Sequence, residues 1–246
     1  MSKAVAIITG ASSGMGWEFV RQIDRNMHHI HEIWMIARRE ERLNLLAENV
    51  MRCNVRCICL DLCRESAWEQ LDRILETEQP DVRMLVNAAG VGRSGEFAGI
   101  SRTEAVNMID LNARALTAVT HTVLPYMSKH SRIIQMCSAS AFFPQKEFSV
   151  YAASKTFVLR FSMALQAELR DRCIAVTIVC PGPVDTEFLE IANKGRSYNP
   201  FKKLVMVKPE PVVRKALIDA GNKKKLSIYG IPMKLVYAAS MLLPHV

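Results

Sequence analysis

A doubly wound α/β fold is what this sequence predicts, and three observations predict it. Short apolar runs rich in β-branched residues recur along the chain, helix-like stretches separate them, and a glycine turn follows the first run. The runs are Ala4–Thr9, Glu32–Ile36, Val55–Leu60, Met84–Asn87, Arg132–Cys137 and Ile174–Val179, with Leu226–Tyr229 as the last strand. Runs that are apolar throughout, rather than alternating, suit strands covered on both faces, as in parallel sheets. Between them apolar residues fall three and four apart. Leu43, Leu46, Ala47 and Val50 do so within residues 40–50, and Phe157, Phe161, Leu165 and Leu169 within 153–169. Strand–helix alternation of this kind joins parallel strands through right-handed crossovers. No repeat, low-complexity tract or linker interrupts it, so residues 1–246 are expected to form one Rossmann-type domain with helices on both sides of the sheet.

Composition narrows the functional classes. Half of the 246 residues are hydrophobic and 23% are charged, an ordinary soluble balance. No apolar run is long enough to span a bilayer, and the N-terminus enters a strand-like segment at once. A cytoplasmic protein is therefore expected, without membrane association. The odd count of seven cysteines fits that compartment. Cys53, Cys57, Cys59 and Cys63 lack a Cys-x2-Cys pair, and Val55–Leu60 reads as a strand in which cysteine is a small hydrophobe. His28, His29 and His31 lack a partner at ligand spacing, so no metal site is expected. The net charge of +8 is scattered, with short runs at Arg38-Arg39 and at 223–225, and no aromatic stripe accompanies it. A solvated face is the simpler reading, and no nucleic acid is expected as a partner.

The glycine turn is Thr9-Gly10-Ala11-Ser12-Ser13-Gly14-Met15-Gly16. Glycines at a strand–helix junction let the backbone turn tightly and bring N–H groups to a pyrophosphate at a helix N-terminus. The spacing is Gly-x3-Gly-x-Gly, not the Gly-x-Gly-x-x-Gly of most dinucleotide folds. An NAD enzyme would place a carboxylate at the end of the second strand, to bond the ribose 2′-OH. Here that stretch reads Met35-Ile36-Ala37-Arg38-Arg39. Ala37 supplies no carboxylate, and Arg38 offers a planar guanidinium suited to a 2′-phosphate. Cations at a helix start oppose its dipole unless an anion meets them. NADP(H) is therefore favoured over NAD(H).

Tyr151-Ala152-Ala153-Ser154-Lys155 places a phenol and an ammonium one turn apart on a helix face. A neighbouring cation favours the phenolate and is expected to lower the tyrosine pKa, fitting the phenol to exchange a proton with an alcohol or carbonyl oxygen. Ser138 follows the strand Arg132–Cys137, at the edge where parallel sheets bind ligands, and its hydroxyl can donate to a substrate oxygen. Asn112 lies within a long helix-like stretch, where an amide can hold a local break and an ordered water.

Together these residues resemble the short-chain dehydrogenase/reductase family. Thr9-Gly10-x3-Gly14-x-Gly16, Asn87-Ala88-Ala89-Gly90, Asn112, Ser138, Tyr151-x3-Lys155 and Pro181-Gly182 stand in the family's order and approximate spacing, from residue 4 to about 190. The resemblance implies a seven-stranded parallel sheet and hydride transfer between nicotinamide and a carbonyl or alcohol. It implies Tyr151 as acid/base, Ser138 as substrate orienter, Lys155 as partner of both the nicotinamide ribose and Tyr151, and Asn112 as holder of a relay water. For the cofactor it implies Gly10, Ser12, Ser13, Gly14, Met15, Gly16, Asp61 and Leu62 beside the adenosine and phosphates. Asn87, Ala88, Ala89 and Gly90 would support the central sheet and run along the cofactor, and Pro181, Gly182, Val184 and Thr186 would lie around the nicotinamide. Ala88 stands where the family commonly has asparagine, and the glycine loop carries no basic residue. Arg38, with Arg39, is left as the main support for NADP.

A substrate lid is expected over residues 187–209. Phe188, Leu189, Ile191, Tyr198, Phe201, Leu204 and Val205 are interleaved there with Lys194, Arg196, Lys202 and Lys203. With Phe142 and Phe143 they suit a small hydrophobic carbonyl or alcohol substrate of bulky type, such as a steroid, bile acid or acyl chain. The apolar C-terminal segment 226–246 can cap that cleft, cover a subunit interface or lie on a membrane surface. The resemblance implies a homodimer or homotetramer packed through the helix of Tyr151. A catalytically silent NAD(P)-binding sensor is the alternative reading, and the joint presence of Asn112, Ser138, Tyr151 and Lys155 argues against it. A sugar-nucleotide epimerase would need a larger C-terminal region.

Overall fold

The structure is a computed structural model, and it describes residues 3–193 and 205–242. Its first half contains β1 (Ala4–Thr9), α1 (Gly14–Asn26), β2 (Glu32–Ala37), α2 (Glu40–Ala47), β3 (Asn54–Cys59), α3 (Glu65–Glu78) and β4 (Asp81–Asn87). The chain continues through α4 (Arg102–Ile109), a π-helical turn (Asp110–Ala115), α5 (Leu116–Val123), β5 (Met127–Met136), α6 (Ser149–Glu168) and β6 (Ala175–Val179). It then forms α7 (Glu187–Asn193), α8 (Pro209–Gly221), β7 (Leu226–Ser227) and α9 (Ile231–Leu242). The seven strands are parallel, in the order β3-β2-β1-β4-β5-β6-β7. The strand order reverses between β1 and β4, and open sheets bind ligands in the crevice beyond the strand ends at such a point.

Both faces of the sheet are covered, which is why the strands are apolar throughout. Ala6, Ile8, Ile33 and Met35 pack toward Phe19, Ile23, Val213 and Ala216 of α1 and α8. Val5, Ile7, Trp34 and Ile36 pack the other way, toward Leu71, Leu75, Val119 and Leu165 of α3, α5 and α6. Successive side chains of one strand thus enter opposite cores. α4 opens on a capping box, in which Ser101 Oγ accepts from Glu104 N while the Glu104 carboxylate accepts from Ser101 N.

Two boundaries matter for the site. α6 begins at Ser149, four residues before the periodicity predicts, so Tyr151 lies in its first turn. The last strand ends at Ser227 rather than Tyr229, and the apolar segment after it is the helix α9.

Candidate active site

A cleft of roughly 520 Å³ runs across the strand ends from the glycine turn to α9. Most residues singled out from the sequence line it: Gly10, Ser12, Ser13, Gly14, Met15, Gly16, Arg38, Asp61, Leu62, Ala88, Ala89, Gly90, Ser138, Tyr151, Lys155, Pro181, Gly182, Val184 and Thr186.

Two, Asn87 and Asn112, do not line it. Asn87 is buried behind the cleft wall, where its Nδ2 donates to Thr120 Oγ1 (2.9 Å) and Gln135 Oε1 (3.0 Å). It braces β4 against β5 and α5, the support of the central sheet that the resemblance implies. Asn112 is wholly buried in the π-helical turn. Its Oδ1 accepts from Val91 N (2.9 Å), and its Nδ2 donates to Val91 O (2.8 Å) and Ser154 Oγ (3.0 Å). The expected break in the helix is present. The amide spends both its hydrogens on the loop after β4 and on α6, tying the two to the π-helical turn.

At the glycine end the backbone itself forms the cradle. Gly10 has φ +68°, and a Cβ there would lie 2.7 Å from the Ala89 backbone. A Cβ on Gly16 would lie 2.2 Å from Gly10 O. Ser13 precedes α1 without giving it a side-chain cap, and the first turn of α1 holds no acidic residue. The helix therefore presents unsatisfied N–H groups and its positive dipole end to the cleft. Arg39 supplies the cation that the loop's own sequence lacks. Its Nη2 donates to Ser13 Oγ (2.8 Å), and its Nε to Ser12 Oγ (3.2 Å). Its Nη1 pairs with Glu187 (2.7 Å), which also takes Arg42 (2.9 Å). The hydrogen bond from Arg39 holds the Glu187 carboxyl below its ordinary value. Arg38 lies at the cleft mouth with its side chain exposed. This tight backbone cradle, uncapped helix and guanidinium fit a phosphorylated dinucleotide.

The chemical end is built where β5, β6 and α6 meet. Ser138 begins the turn after β5, and its Oγ accepts from Ser140 N (3.1 Å). Tyr151 is buried between Phe148 and Phe188, with ring centroids 4.4 and 5.5 Å away. Lys155 Nζ donates to Met136 O (2.8 Å) and lies 5.8 Å from the centre of the Tyr151 ring. A side chain on Gly90 would press on Asn112 Oδ1 and Lys155 Nζ, at 3.1 and 3.5 Å.

The protonation of this group differs from the sequence expectation. Burial pushes the Tyr151 phenol well above the ordinary tyrosine value, and a hydrogen bond with Ser138 opposes it only partly. Burial also lowers Lys155. The Lys155 ammonium is tied to the Met136 carbonyl and does not offset the burial of the phenol.

The substrate end was only partly legible. Phe188, Leu189, Ile191 and Val205 line it as expected, joined by Phe143, Phe148, Met233 and Val236. A Cβ on Gly92 would fall 2.6 Å from Phe188 Cζ, so that glycine is what admits the α7 side chain. α9 closes this end, with Met233 seated on Gly182 and Tyr237 against Phe142 at 5.0 Å. Tyr198, Phe201, Leu204, Lys194, Arg196, Lys202 and Lys203 lie outside the described residues.

A parallel-sheet crevice with a phosphate cradle at one end and a buried phenol, hydroxyl and ammonium at the other is an oxidoreductase arrangement. The chain belongs to the short-chain dehydrogenase family, whose model matches residues 4–197. It is 32% identical over 215 residues to an NADP-dependent 3-hydroxy acid dehydrogenase of Escherichia coli, covering 85% of each chain. Its fold superposes with a TM-score of 0.82 on a short-chain dehydrogenase from Sphingobium yanoikuyae in complex with NADPH, at 26% identity, covering 96% of this chain and 91% of that one. A serine dehydrogenase complexed with NADP+ gives 0.79 at 28% identity, over 92% and 94% of the two chains.

Proposed function

We propose that this chain is an NADP(H)-dependent oxidoreductase that interconverts a ketone and a secondary alcohol on a bulky, mainly apolar substrate. The observation that carries the reading is the convergence of Ser138, Tyr151 and Lys155 on the wall of a cleft that begins at the glycine cradle. Bound along that cleft, NADPH supplies the hydride. Ser138 would donate to the carbonyl oxygen, and the Tyr151 phenol would give its proton to the same oxygen as it becomes an alkoxide. Lys155 holds the end of β5 through Met136 O and stands where the ribose would pass. The glycine cradle and the Arg39 guanidinium support a phosphorylated cofactor and, with it, NADP over NAD. The NADP-dependent relative and the NADPH and NADP+ complexes of the two structural neighbours point the same way.

The lining supports an apolar substrate. Beyond Tyr151, the described residues contribute Ser140, Gln145 and Asn193 as polar groups and no cation. A homo-oligomer is supported by the exposed apolar face of α4 and α6, which carries Val106, Ile109, Phe157 and Met163. No described helix is long and apolar enough to cross a membrane. We place the protein in the cytoplasm on composition, and read it as one catalytic domain with its lid over 187–209.

The test is NADPH oxidation against a panel of steroid, bile-acid, acyl and simple ketones, with Tyr151→Phe as control. Removing the phenolic proton should lower turnover by about 10³-fold while NADPH still quenches intrinsic fluorescence with the same midpoint. Turnover retained in that variant would remove Tyr151 from the reaction.

A further inference from the structure

Beneath the catalytic group lies a pair of cysteines that the proposed reaction does not use. Cys137 is the residue after β5 and Cys180 the residue after β6. The β5–β6 ladder pairs Met136 with Val179, and its register continues: Cys137 N donates to Val179 O (2.9 Å), and Ala139 N to Pro181 O (2.9 Å). Cys137 and Cys180 are therefore opposite each other. The ladder ends there only because Pro181 has no N–H to give. Register partners on parallel strands carry their side chains on one face, with Cα atoms about 4.8 Å apart, within the span that a disulfide bridges.

The two thiols also touch. Both are free and buried in one cluster with Val158 and Ile178. A hydrogen bond links Cys180 and Cys137, and Cys137 Sγ donates to Lys155 O (3.2 Å). Burial pushes the Cys137 thiol up, but the bond from Cys180 and the Lys155 cation together take it below the ordinary cysteine value. Cys180 is raised, first by that same bond and then by its burial. Cys137, though only 3% exposed, forms part of the cleft floor, whereas Cys180 does not line the cleft. One cysteine is thus at the cleft wall, with the second behind it.

We propose that Cys137 and Cys180 are a thiol-modification site, converted to a disulfide by peroxides that enter through the active-site cleft. In the first step the Cys137 sulfur attacks one peroxide oxygen, the O–O bond breaks, and one water leaves a sulfenic acid behind. In the second step the Cys180 sulfur attacks the Cys137 sulfur, the S–O bond breaks and a second water leaves. Two thiols give up two hydrogens and two electrons, and one hydrogen peroxide becomes two waters. The bond removes the Cys137 donor from Lys155 O and draws together the strand ends that carry Ser138 and Pro181. A displacement of about 1 Å at a catalytic group costs about 10²-fold in rate.

The experiment treats the whole protein with stoichiometric hydrogen peroxide and follows mass and turnover together. The expected product has lost two hydrogens, and trypsin yields peptide 133–146 joined to peptide 173–194. Turnover with NADPH and a ketone of the panel should fall by about 10²-fold and return with dithiothreitol. A Cys173→Ser background excludes the exposed thiol that shares the second peptide. Cys180→Ala and Cys180→Ser should keep basal turnover, form no link and leave a sulfenic acid on Cys137 that dimedone captures. The proposal is overturned if the link is absent while the exposed Cys59 and Cys173 are oxidised. It is overturned equally if the Cys180 variants, after peroxide, carry no dimedone-reactive sulfenic acid on Cys137. The mass measurement needs no substrate, so failure of the disulfide and failure of the proposed reaction are told apart.

Discussion

The two ends of the cleft are built on different plans. The nucleotide end is mostly one stretch of backbone, from β1 through its turn into α1, with Arg39 reaching in from the end of β2. The substrate end is an assembly of side chains: Phe143 and Phe148 of one loop meet Phe188, Val205 and Met233 from three other segments. A site made of backbone leaves no room for change, because a main-chain atom cannot move alone. A site made of side chains on separate segments can be altered one contact at a time. The cofactor end should therefore be brittle and the substrate end adjustable.

The largest test of that contrast is Gly16→Ala. Its methyl would meet the Gly10 carbonyl oxygen at 2.2 Å, so the loop itself must shift. An overlap of this kind costs about 3 kcal/mol, and NADPH binding by fluorescence titration should weaken about 10²-fold. An unchanged midpoint would break the claim that close backbone approach shapes this end.

Next in size is the arginine pair. Arg39→Ala should lower the NADPH/NADH ratio of kcat/KM about tenfold, the low end for a hydrogen bond to a charged group. Arg38→Ala should lower it less, since Arg39 is the one aimed at Ser12 and Ser13. The reverse ranking would move the phosphate contact to the cleft mouth.

Phe188→Ala probes the adjustable end. It removes an aromatic contact with Tyr151, of about 1 kcal/mol, and should raise KM for bulky ketones about fivefold. The NADPH midpoint should not move. If it did, the two ends would be coupled through α7, and the contrast would need to be redrawn.

The smallest effect belongs to Glu187, which ties α7 to Arg39 and Arg42 across the cleft. All three side chains are partly exposed, so Glu187→Gln should cost under about 1 kcal/mol in thermal melts at neutral pH. The bond from Arg39 lowers the folded carboxyl's pKa, so the stabilisation is full above the unfolded glutamate value, about 4.3. It is lost as pH falls through the lower folded value. The gap between the melts should close on the acid side of the ordinary glutamate range, and a gap that grew there would contradict the ion pair.

How much was legible in the sequence follows from what each feature depends on. The alternation of strands and helices, the glycine cradle and the one-turn spacing of Tyr151 and Lys155 are local properties. They depend on the period of the backbone and on residues close in the chain, so the sequence alone determined them. Tertiary structure decided the rest. It tied Asn87 to Thr120 and Asn112 to Val91, chose Arg39 over Arg38 for the glycine loop and set Met233 on Gly182. It brought Cys137 to Cys180 and raised the pKa of the Tyr151 phenol by burying it. Each of these outcomes depends on which distant segment packs against a side chain and on how much water that packing removes. Neither is encoded in the spacing of neighbouring residues.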